Sequence, residues 1–261
     1  MADAPDVPCC VYFIGAGPGD PELLTVKAAR IIGRADLVLY AGSLVSPAVV
    51  ALARKDARVV DSAPLTLAET HALLVDTVRA GGIAARVHTG DPALYGALSE
   101  QTRLLAADDI PYQVIPGVTS ASAAAAAFGV SVTEPETTQS LILTRLAGRT
   151  PMPPGESLAA LAAHKASLAI YLSAGDPEGV AAALREAGLP EATPVAIAHR
   201  LGWPGEKRLW ATVATLAETV RQAGVDRQTL FLVLPGLGHG TCSKLYDPSF
   251  GHGFRPVRDD G

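Results

Sequence analysis

The regular alternation of short aliphatic runs with longer Ala-rich stretches constrains this 261-residue chain more than any other feature. Runs such as Val11–Gly15 and Leu37–Tyr40 have the length and composition of buried strands, whereas Ala123–Ala127 favours a helix. Strands that alternate with helices form mostly parallel sheets with helices packed on their faces. We therefore predict an α/β fold built on mostly parallel sheets.

Aliphatic runs predict ten strands, five in each half of the chain. The first helix has a clear predicted start, since Asp20 can cap its backbone N–H groups and Pro21 suits its first turn. This helix is expected to continue to about Gly33. The predicted strands are Val11–Gly15, Leu37–Tyr40, Arg58–Val60, Ile83–His88, Gln113–Ile115, Ser140–Thr144, Leu168–Leu172, Pro194–Ala198, Arg208–Ala211 and Leu230–Leu234.

A polar stretch at Thr133–Gln139, which contains Pro135, separates the two series of strands. Such stretches are typical of domain boundaries. We predict an N-terminal α/β domain over residues 1–136 and a C-terminal α/β domain over residues 137–238. The remaining residues, 239–261, are rich in Gly, His and Pro and are expected to form a loosely structured tail.

Composition excludes several classes of function. A net charge of −5 provides no basic field for nucleic acid, and an aromatic fraction of 5% provides few stacking platforms. The start carries Asp3 and Asp6 instead of a basic leader, and no long apolar run predicts a membrane span. The odd set Cys9, Cys10 and Cys242 does not form a disulfide pattern, which fits a reducing, cytoplasmic location.

The first strand is followed by the Gly-rich loop G-A-G-P-G, which starts at Gly15. An NAD-binding loop is one interpretation, but its spacing would be G-x-G-x-x-G, and the second strand Leu37–Tyr40 ends without the acidic residue that holds a ribose. Pro18 also removes one backbone donor. Taken alone, the loop is also compatible with a tight turn of purely structural importance.

Two further unusual loops follow predicted strands. They are Val87–Gly96, which contains G-D-P-A-L-Y-G, and Ile115–Ser120, which contains P-G-V-T-S. In an open parallel sheet, ligands bind at the carboxyl ends of the strands. The three loops should therefore meet at one sheet edge and form a single site.

The motifs G-A-G-P-G-D-P and G-D-P-x-x-Y-G together resemble those of the tetrapyrrole methylase family, and the resemblance covers nearly the whole chain. It implies two α/β domains with a cofactor cleft between them. It further implies that S-adenosyl-L-methionine binds there, largely to backbone groups, and that the protein is a homodimer.

Other stretches resemble one branch of this family, the enzymes that methylate C11 of precorrin-4 or cobalt-precorrin-4. They are Leu39–Val45, Val87–Asp91, Leu143–Pro151, Trp203–Lys207 and Ser243–Arg255. This resemblance implies methyl transfer to C11 of precorrin-4, giving precorrin-5 and S-adenosylhomocysteine in cobalamin (vitamin B12) biosynthesis. A cobalt-containing substrate and another macrocycle carbon remain alternatives. A dehydrogenase or a non-catalytic ligand-binding module are alternatives of a different class.

The family motifs also imply which residues contact the cofactor. Leu172 stands where many relatives have Met, so it would supply apolar contact without a thioether. Asp91 is predicted beside a cationic group, although an Asp before Pro equally favours a turn. The implied cofactor residues are Pro18, Gly90, Asp91, Leu94, Thr119, Ser120, Leu172 and Leu201.

A precorrin carries many carboxylates, which guanidinium groups bind well. Arg145 and Arg149 are the first candidates for substrate binding, with Arg200 and Lys207 as second choices. Tyr95 could face the tetrapyrrole or be a core aromatic. No residue is identified as a general base.

A metal site is not predicted, because His239, Cys242 and His252 lack the paired spacing of zinc ligands. His88 ends a predicted strand, and we expect it to be a hydrogen-bonded structural residue.

Overall fold

The computed structural model describes residues 7–241, 243–244 and 249–255. Within these residues ten strands form two five-stranded sheets. All ten predicted strands are confirmed, with bounds that differ by one residue or less at each end. The strands are β1 (Val11–Gly15), β2 (Leu37–Tyr40), β3 (Arg58–Asp61), β4 (Ala84–His88), β5 (Tyr112–Ile115), β6 (Leu141–Arg145), β7 (Ser167–Tyr171), β8 (Pro194–His199), β9 (Lys207–Thr212) and β10 (Thr229–Val233).

Eight α-helices are present in the same described residues. Several begin with a side-chain cap; the Thr66 hydroxyl, for example, accepts from the Glu69 N–H, while the Glu69 carboxylate accepts from the Thr66 N–H. The helices are α1 (Val26–Ile32), α2 (Pro47–Val50), α3 (Leu67–Arg79), α4 (Leu98–Ala107), α5 (Ser120–Phe128), α6 (Leu158–Ala162), α7 (Pro177–Glu186) and α8 (Leu216–Ala223).

The first sheet is entirely parallel, in the order β3-β2-β4-β1-β5. Alternate residues of β1 lie in two separate buried clusters: Tyr12 and Ile14 in one, Val11 and Phe13 in the other. This alternation follows from the two-residue period of a strand, so both faces of the sheet are buried.

The second sheet has the order β6-β7-β10-β8-β9, and it is mixed. β6 and β7 are parallel, but β10 runs antiparallel to both β7 and β8. The prediction of mostly parallel sheets is therefore wrong for this half. β8 and β9 are joined by a short loop without a crossover helix, which departs from the βαβ pattern.

The predicted first helix is also wrong in its first turns. Asp20 caps a short 3₁₀ turn, Pro21–Leu23, and Leu24 is extended. The α-helix begins only after Thr25, whose hydroxyl accepts from the Ala28 N–H. Two capping residues lie close together in the sequence, and each starts its own element.

Contacts divide the chain into two compact units: Met1–Ala123 with Arg200–Lys207 (unit 1), and Ala124–His199 with Arg208–Gly261 (unit 2). This grouping puts residues 200–207 in unit 1, because the β8–β9 loop packs on the Gly-rich loop, and it puts residues 124–136 in unit 2. Leu201 consequently belongs to unit 1, whereas we expected it to act from the second domain. The domain bounds 1–136 and 137–238 stay a prediction. The predicted tail, 239–261, lies partly outside the described residues.

No helix among the described residues is long and apolar enough to cross a membrane.

Candidate functional site

The three unusual loops meet at one edge of the first sheet, as predicted. They follow β1, β4 and β5, which are neighbouring parallel strands, so all three leave the sheet at its carboxyl edge. This edge is where ligands bind in open parallel sheets.

Gly17 and Gly90 join the first and second loops directly. The Gly17 N–H donates to the Gly90 carbonyl at 3.2 Å, and the Gly90 N–H donates to the Gly17 carbonyl at 2.8 Å. Both residues have positive φ, +70° and +61°, which favours glycine. A Cβ at Gly90 would meet no described atom within 4 Å, so this glycine borders open space. The pair leaves room for a ligand that approaches the backbone.

Asp91 connects the second loop to the third. Its Oδ1 accepts from the Ala93 N–H at 2.8 Å, and its Oδ2 accepts from the Gly117 N–H at 3.0 Å. Gly117 in turn lies so close to Gly15 that a Cβ on either would overlap the other's backbone. Asp91 therefore organises the loops through its carboxylate, as the turn interpretation anticipated, and its contact with a cofactor stays a prediction.

The other predicted cofactor residues of unit 1 lie along the same loops. Pro18 is buried, and its carbonyl accepts from the Trp203 indole N–H at 3.0 Å. Leu94 is half-buried behind Asp91. Thr119 accepts from the Ala121 N–H at the start of α5, the helix that begins at Ser120. Leu201 is buried, with its carbonyl close to Gly19.

Tyr95 has a side chain 48% exposed, so its interpretation as a core aromatic is wrong. Its φ of +56° lies in the left-handed region, and Ala97 shares this conformation at +48°. Such values are uncommon and costly for residues with side chains, and some of the residues that adopt them lie at functional sites. Gln101 holds the turn, since its amide donates to the carbonyls of Gly96 and Ala97.

Arg86 and His88 lie beneath this turn on β4. The Arg86 guanidinium donates to Gln101 at 3.1 Å and to Ser62 at 2.9 Å, and burial lowers its pKa to about 10. Burial, reinforced by the charge of Arg86, lowers the pKa of His88 to about 3. His88 is therefore a neutral imidazole at pH 7.

The expectation that His88 is hydrogen-bonded is wrong for its Nε2, which is buried without a hydrogen-bond partner among the described residues. Its ring instead lies 5.9 Å from that of Phe13, in a largely apolar setting that favours the neutral form.

In unit 2, Arg145 ends β6 and binds its own loop. Its Nη1 donates to the carbonyls of Leu146 and Thr150, and its Nη2 donates to that of Pro151 at 2.9 Å. The guanidinium thus shapes the loop that carries Arg149. Arg149 is exposed and has no hydrogen bond or ion pair with the described residues.

Leu172 follows β7 and is 74% exposed, with φ at +54°. Ser173 fixes this conformation: its hydroxyl donates to the Tyr171 carbonyl and accepts from the Leu146 N–H at 2.8 Å. An exposed leucine held in a strained conformation at a strand end is suited to contact an apolar ligand surface. Its contact with adenine stays a prediction.

A cavity of about 490 Å³ lies in unit 2, but at the opposite edge of the second sheet from Arg145 and Leu172. Its walls include the segments before β7 and β8 and the segment after β10. None of the predicted site residues lines it.

Among the described residues, no three His, Cys, Asp or Glu side chains are grouped as metal ligands. His239 and His252 are described, but Cys242 lies outside the described residues.

A family model described as Tetrapyrrole (Corrin/Porphyrin) Methylases matches residues 10–217. The chain belongs to this family. Similar proteins include the cobalt-precorrin-4 C(11)-methyltransferase of Priestia megaterium, 44% identical over 250 residues, with 94% of this chain and 97% of that protein covered. The precorrin-4 C(11)-methyltransferase of Pseudomonas aeruginosa is 45% identical over 254 residues, with 94% and 98% covered.

Solved structures agree with this membership. The X-ray structure of a cobalt-precorrin-4 methyltransferase has a TM-score of 0.84 at 43% identity and covers 86% of this chain and 94% of its own. The uroporphyrin-III C-methyltransferase of Thermus thermophilus, complexed with S-adenosyl homocysteine, has a TM-score of 0.71 at 30% identity, covering 86% and 91%. This tetrapyrrole methylase is thus an S-adenosylmethionine-dependent methyltransferase with two α/β domains.

Family membership decides against the dehydrogenase alternative, in agreement with the spacing of the Gly-rich loop. Sequence reasoning did not identify Arg86, Gln101 or Ser173 as site residues, because their importance lies in hydrogen bonds to loops that are distant in sequence. Trp203 stood in a recognised motif, but nothing in the sequence places it against Pro18.

Proposed function

We propose that this enzyme methylates C11 of precorrin-4, giving precorrin-5 and S-adenosylhomocysteine in cobalamin biosynthesis. The observation that carries the proposal is the similarity over 94% of the chain to two proteins named for C11 methylation of the precorrin-4 macrocycle. The exposed Arg149 and Tyr95 add side chains suited to a large tetrapyrrole that carries several carboxylates.

The finer part of the proposal is whether the substrate is metal-free precorrin-4, as in the aerobic route, or cobalt-precorrin-4, as in the anaerobic route. Identity to the cobalt-precorrin-4 enzyme, 44%, and to the precorrin-4 enzyme, 45%, is nearly equal. We propose the metal-free substrate first. Turnover rates on both macrocycles, measured under anaerobic conditions, test this choice.

The chemistry requires orientation more than activation. When bound, S-adenosylmethionine would supply a methyl group on a sulfonium: a π-electron pair of the macrocycle would form the new C–C bond, the electron pair of the breaking S–C bond would stay on sulfur, and the macrocycle would release one proton to solvent. The protein holds the macrocycle carbon in line with that bond, which accounts for a large share of the rate in such reactions. We assign this positioning to the loops joined by Gly17, Gly90 and Asp91, whose bonds leave little freedom at the sheet edge.

We assign substrate carboxylates first to Arg149, and then to Arg145, Arg200 and Lys207. Arg149 is exposed and makes no described bond that would have to break. Arg145 already donates to three loop carbonyls, so its contribution to substrate binding includes holding Arg149 in place. Tyr95 is proposed to face the macrocycle edge.

The protein is further proposed to be a cytoplasmic homodimer. The edge strand β5 exposes Tyr112 and Val114, two large apolar side chains on one strand, which suits a subunit interface. The adjacent Cys9 and Cys10 are free thiols, which fits a reducing compartment.

Calorimetry with S-adenosylhomocysteine and with NADH tests the cofactor assignment. Saturable binding of the first and none of the second is the expected result. Turnover with precorrin-4 separates an enzyme from a non-catalytic binding module, since a module would bind S-adenosylmethionine or the tetrapyrrole and release no methylated product.

A further inference from the structure

The loop between β8 and β9, residues 200–206, packs on the Gly-rich loop of unit 1, and we call it the clamp loop. Its Trp203 indole N–H donates to the Pro18 carbonyl at 3.0 Å. The indole lies against Gly19, where a Cβ would overlap the ring. Gly202 lies equally close to the Asp20 backbone. Gly19 is therefore needed for a contact within the protein: it leaves space for the Trp203 ring of the clamp loop.

The clamp loop is internally braced. The Glu206 carboxylate accepts from the Gly202 N–H at 2.7 Å, and the Trp203 N–H donates to the Arg200 carbonyl at 2.9 Å. The Arg200 guanidinium lies over the indole, 5.6 Å from its ring centre. Stacking and hydrogen bonding together fix the plane of the ring.

The Gly-rich loop is consequently held on two sides. Gly17 is bonded to Gly90 of the second loop, and Pro18 is bonded to Trp203 of the clamp loop. Between these two attachments lies only the Gly17–Pro18 link, whose path is set by both partners. Loss of either attachment would let the loop move relative to the other two.

We propose that Trp203 is a positioning residue for S-adenosylmethionine: its indole N–H fixes the Pro18–Gly19 peptide in the orientation that receives the cofactor. The inference rests on the proposed placement of the cofactor at the three loops. It predicts that the indole N–H contributes to cofactor affinity although the ring itself need not touch the cofactor.

The chain offers a matched control, because it contains two tryptophans, Trp203 and Trp210. Trp210 lies on β9 in unit 2, 48% exposed, with its ring against Phe128. We expect Trp203→Phe, which keeps a ring but loses the N–H, to raise the Kd for S-adenosylhomocysteine about 5- to 10-fold, as expected for one hydrogen bond. Trp210→Phe should leave that Kd within about 2-fold.

Fluorescence gives a second readout that leaves Trp203 intact. In Trp210→Phe the remaining emission comes from Trp203, and we expect it to change saturably with S-adenosylhomocysteine. In Trp203→Phe the emission of Trp210 should not respond. The titration of Trp210→Phe decides the matter even where Trp203→Phe fails to fold.

The outcomes are separable. Unchanged affinity in folded Trp203→Phe, or a silent Trp203 while calorimetry shows binding, overturns the positioning role. Failure of the wild-type protein to bind S-adenosylhomocysteine would instead overturn the placement of the cofactor on which the inference rests. A lower thermal midpoint of Trp203→Phe with unchanged Kd assigns Trp203 to stability alone and also overturns it.

Discussion

Arg145 and Arg149 are close in sequence but differ in their hydrogen bonds: Arg145 donates to three loop carbonyls, and Arg149 donates to none that the structure describes. Arg149 makes no described bond, so Arg149→Ala should weaken precorrin-4 binding by about 1.5–3 kcal/mol, the range for a charge-assisted hydrogen bond, without a loss of stability. Arg149→Lys should recover only part of that loss, since it lacks the planar fork. Equilibrium binding of precorrin-4 and of S-adenosylhomocysteine to each variant provides the measurement. A loss of affinity for S-adenosylhomocysteine alone would show that Arg149 supports cofactor binding and not substrate binding.

Arg145→Ala should likewise weaken precorrin-4 binding, by a similar amount, but for a different reason. Its guanidinium organises the carbonyls of Leu146, Thr150 and Pro151, so the variant should also unfold at lower denaturant concentration than Arg149→Ala. Urea unfolding of both variants compares them. Equal stabilities would show that the three carbonyl contacts contribute little to folding.

His88 predicts a pH dependence of stability. Its folded pKa, about 3, lies below the ordinary value of 6.5, so the unfolded state takes up a proton first as the pH falls. Stability from this group is therefore complete above pH 6.5 and is lost as the pH falls toward 3, about 2 kcal/mol by pH 5. Urea unfolding at pH 7 and pH 5 measures the free energy of unfolding that is lost on acidification. This loss should be smaller by that amount in His88→Leu than in the wild-type protein. Identical losses in both proteins would mean that His88 becomes protonated in the folded state.

At the scale of elements, the joined loops predict a contrast between two glycines. Gly90 and Gly81 both have positive φ, and a Cβ at either would meet no described atom within 4 Å. Alanine should cost each about 1–2 kcal/mol of stability through backbone strain. Only Gly90→Ala should reduce S-adenosylhomocysteine affinity, by tenfold or more, because its methyl enters the space assigned to the cofactor. Calorimetry on both variants tests this. Equal affinities of Gly90→Ala and Gly81→Ala for S-adenosylhomocysteine would show that the cofactor does not bind beside Gly90.

The elements themselves were largely predictable. Runs such as Val11–Gly15 are apolar because both sheet faces are buried. Such a run can be recognised from neighbouring residues in the sequence alone. Strand direction is not local: nothing in Thr229–Val233 indicates that it pairs antiparallel with both neighbours. The break at Leu24 was missed because both Asp20 and Thr25 are good caps, and the sequence does not say that each is used.

Site residues were predictable where a motif carried them and less so where they act through others. Gly90 and Asp91 belong to a short, specific motif, and the structure brings them to the loops where they were expected. Arg86 and Gln101 support that motif from beneath, through hydrogen bonds that depend on the packing of α4 against the sheet. Such partners become visible only once the strands are assembled.

For the whole molecule, we expect a dimer in solution with β5 at or near its interface. Tyr112→Glu should lower the dimer fraction, because a carboxylate in an apolar interface loses its hydration. Light scattering after gel filtration measures the mass, which is 26.8 kDa for one chain. A monomeric wild-type protein would contradict the dimer, and a dimeric Tyr112→Glu would place the interface elsewhere.

The central claim is methyl transfer to C11 of the precorrin-4 macrocycle. Incubation of the protein with precorrin-4 and S-adenosylmethionine labelled with ¹³C in its methyl group, followed by NMR of the product, tests it most directly. The predicted result is one new labelled methyl resonance whose protons show a two-bond ¹H–¹³C correlation to C11, with one equivalent of S-adenosylhomocysteine formed. A labelled methyl on any other carbon, or no labelled tetrapyrrole from either precorrin-4 or its cobalt complex, would contradict the assignment.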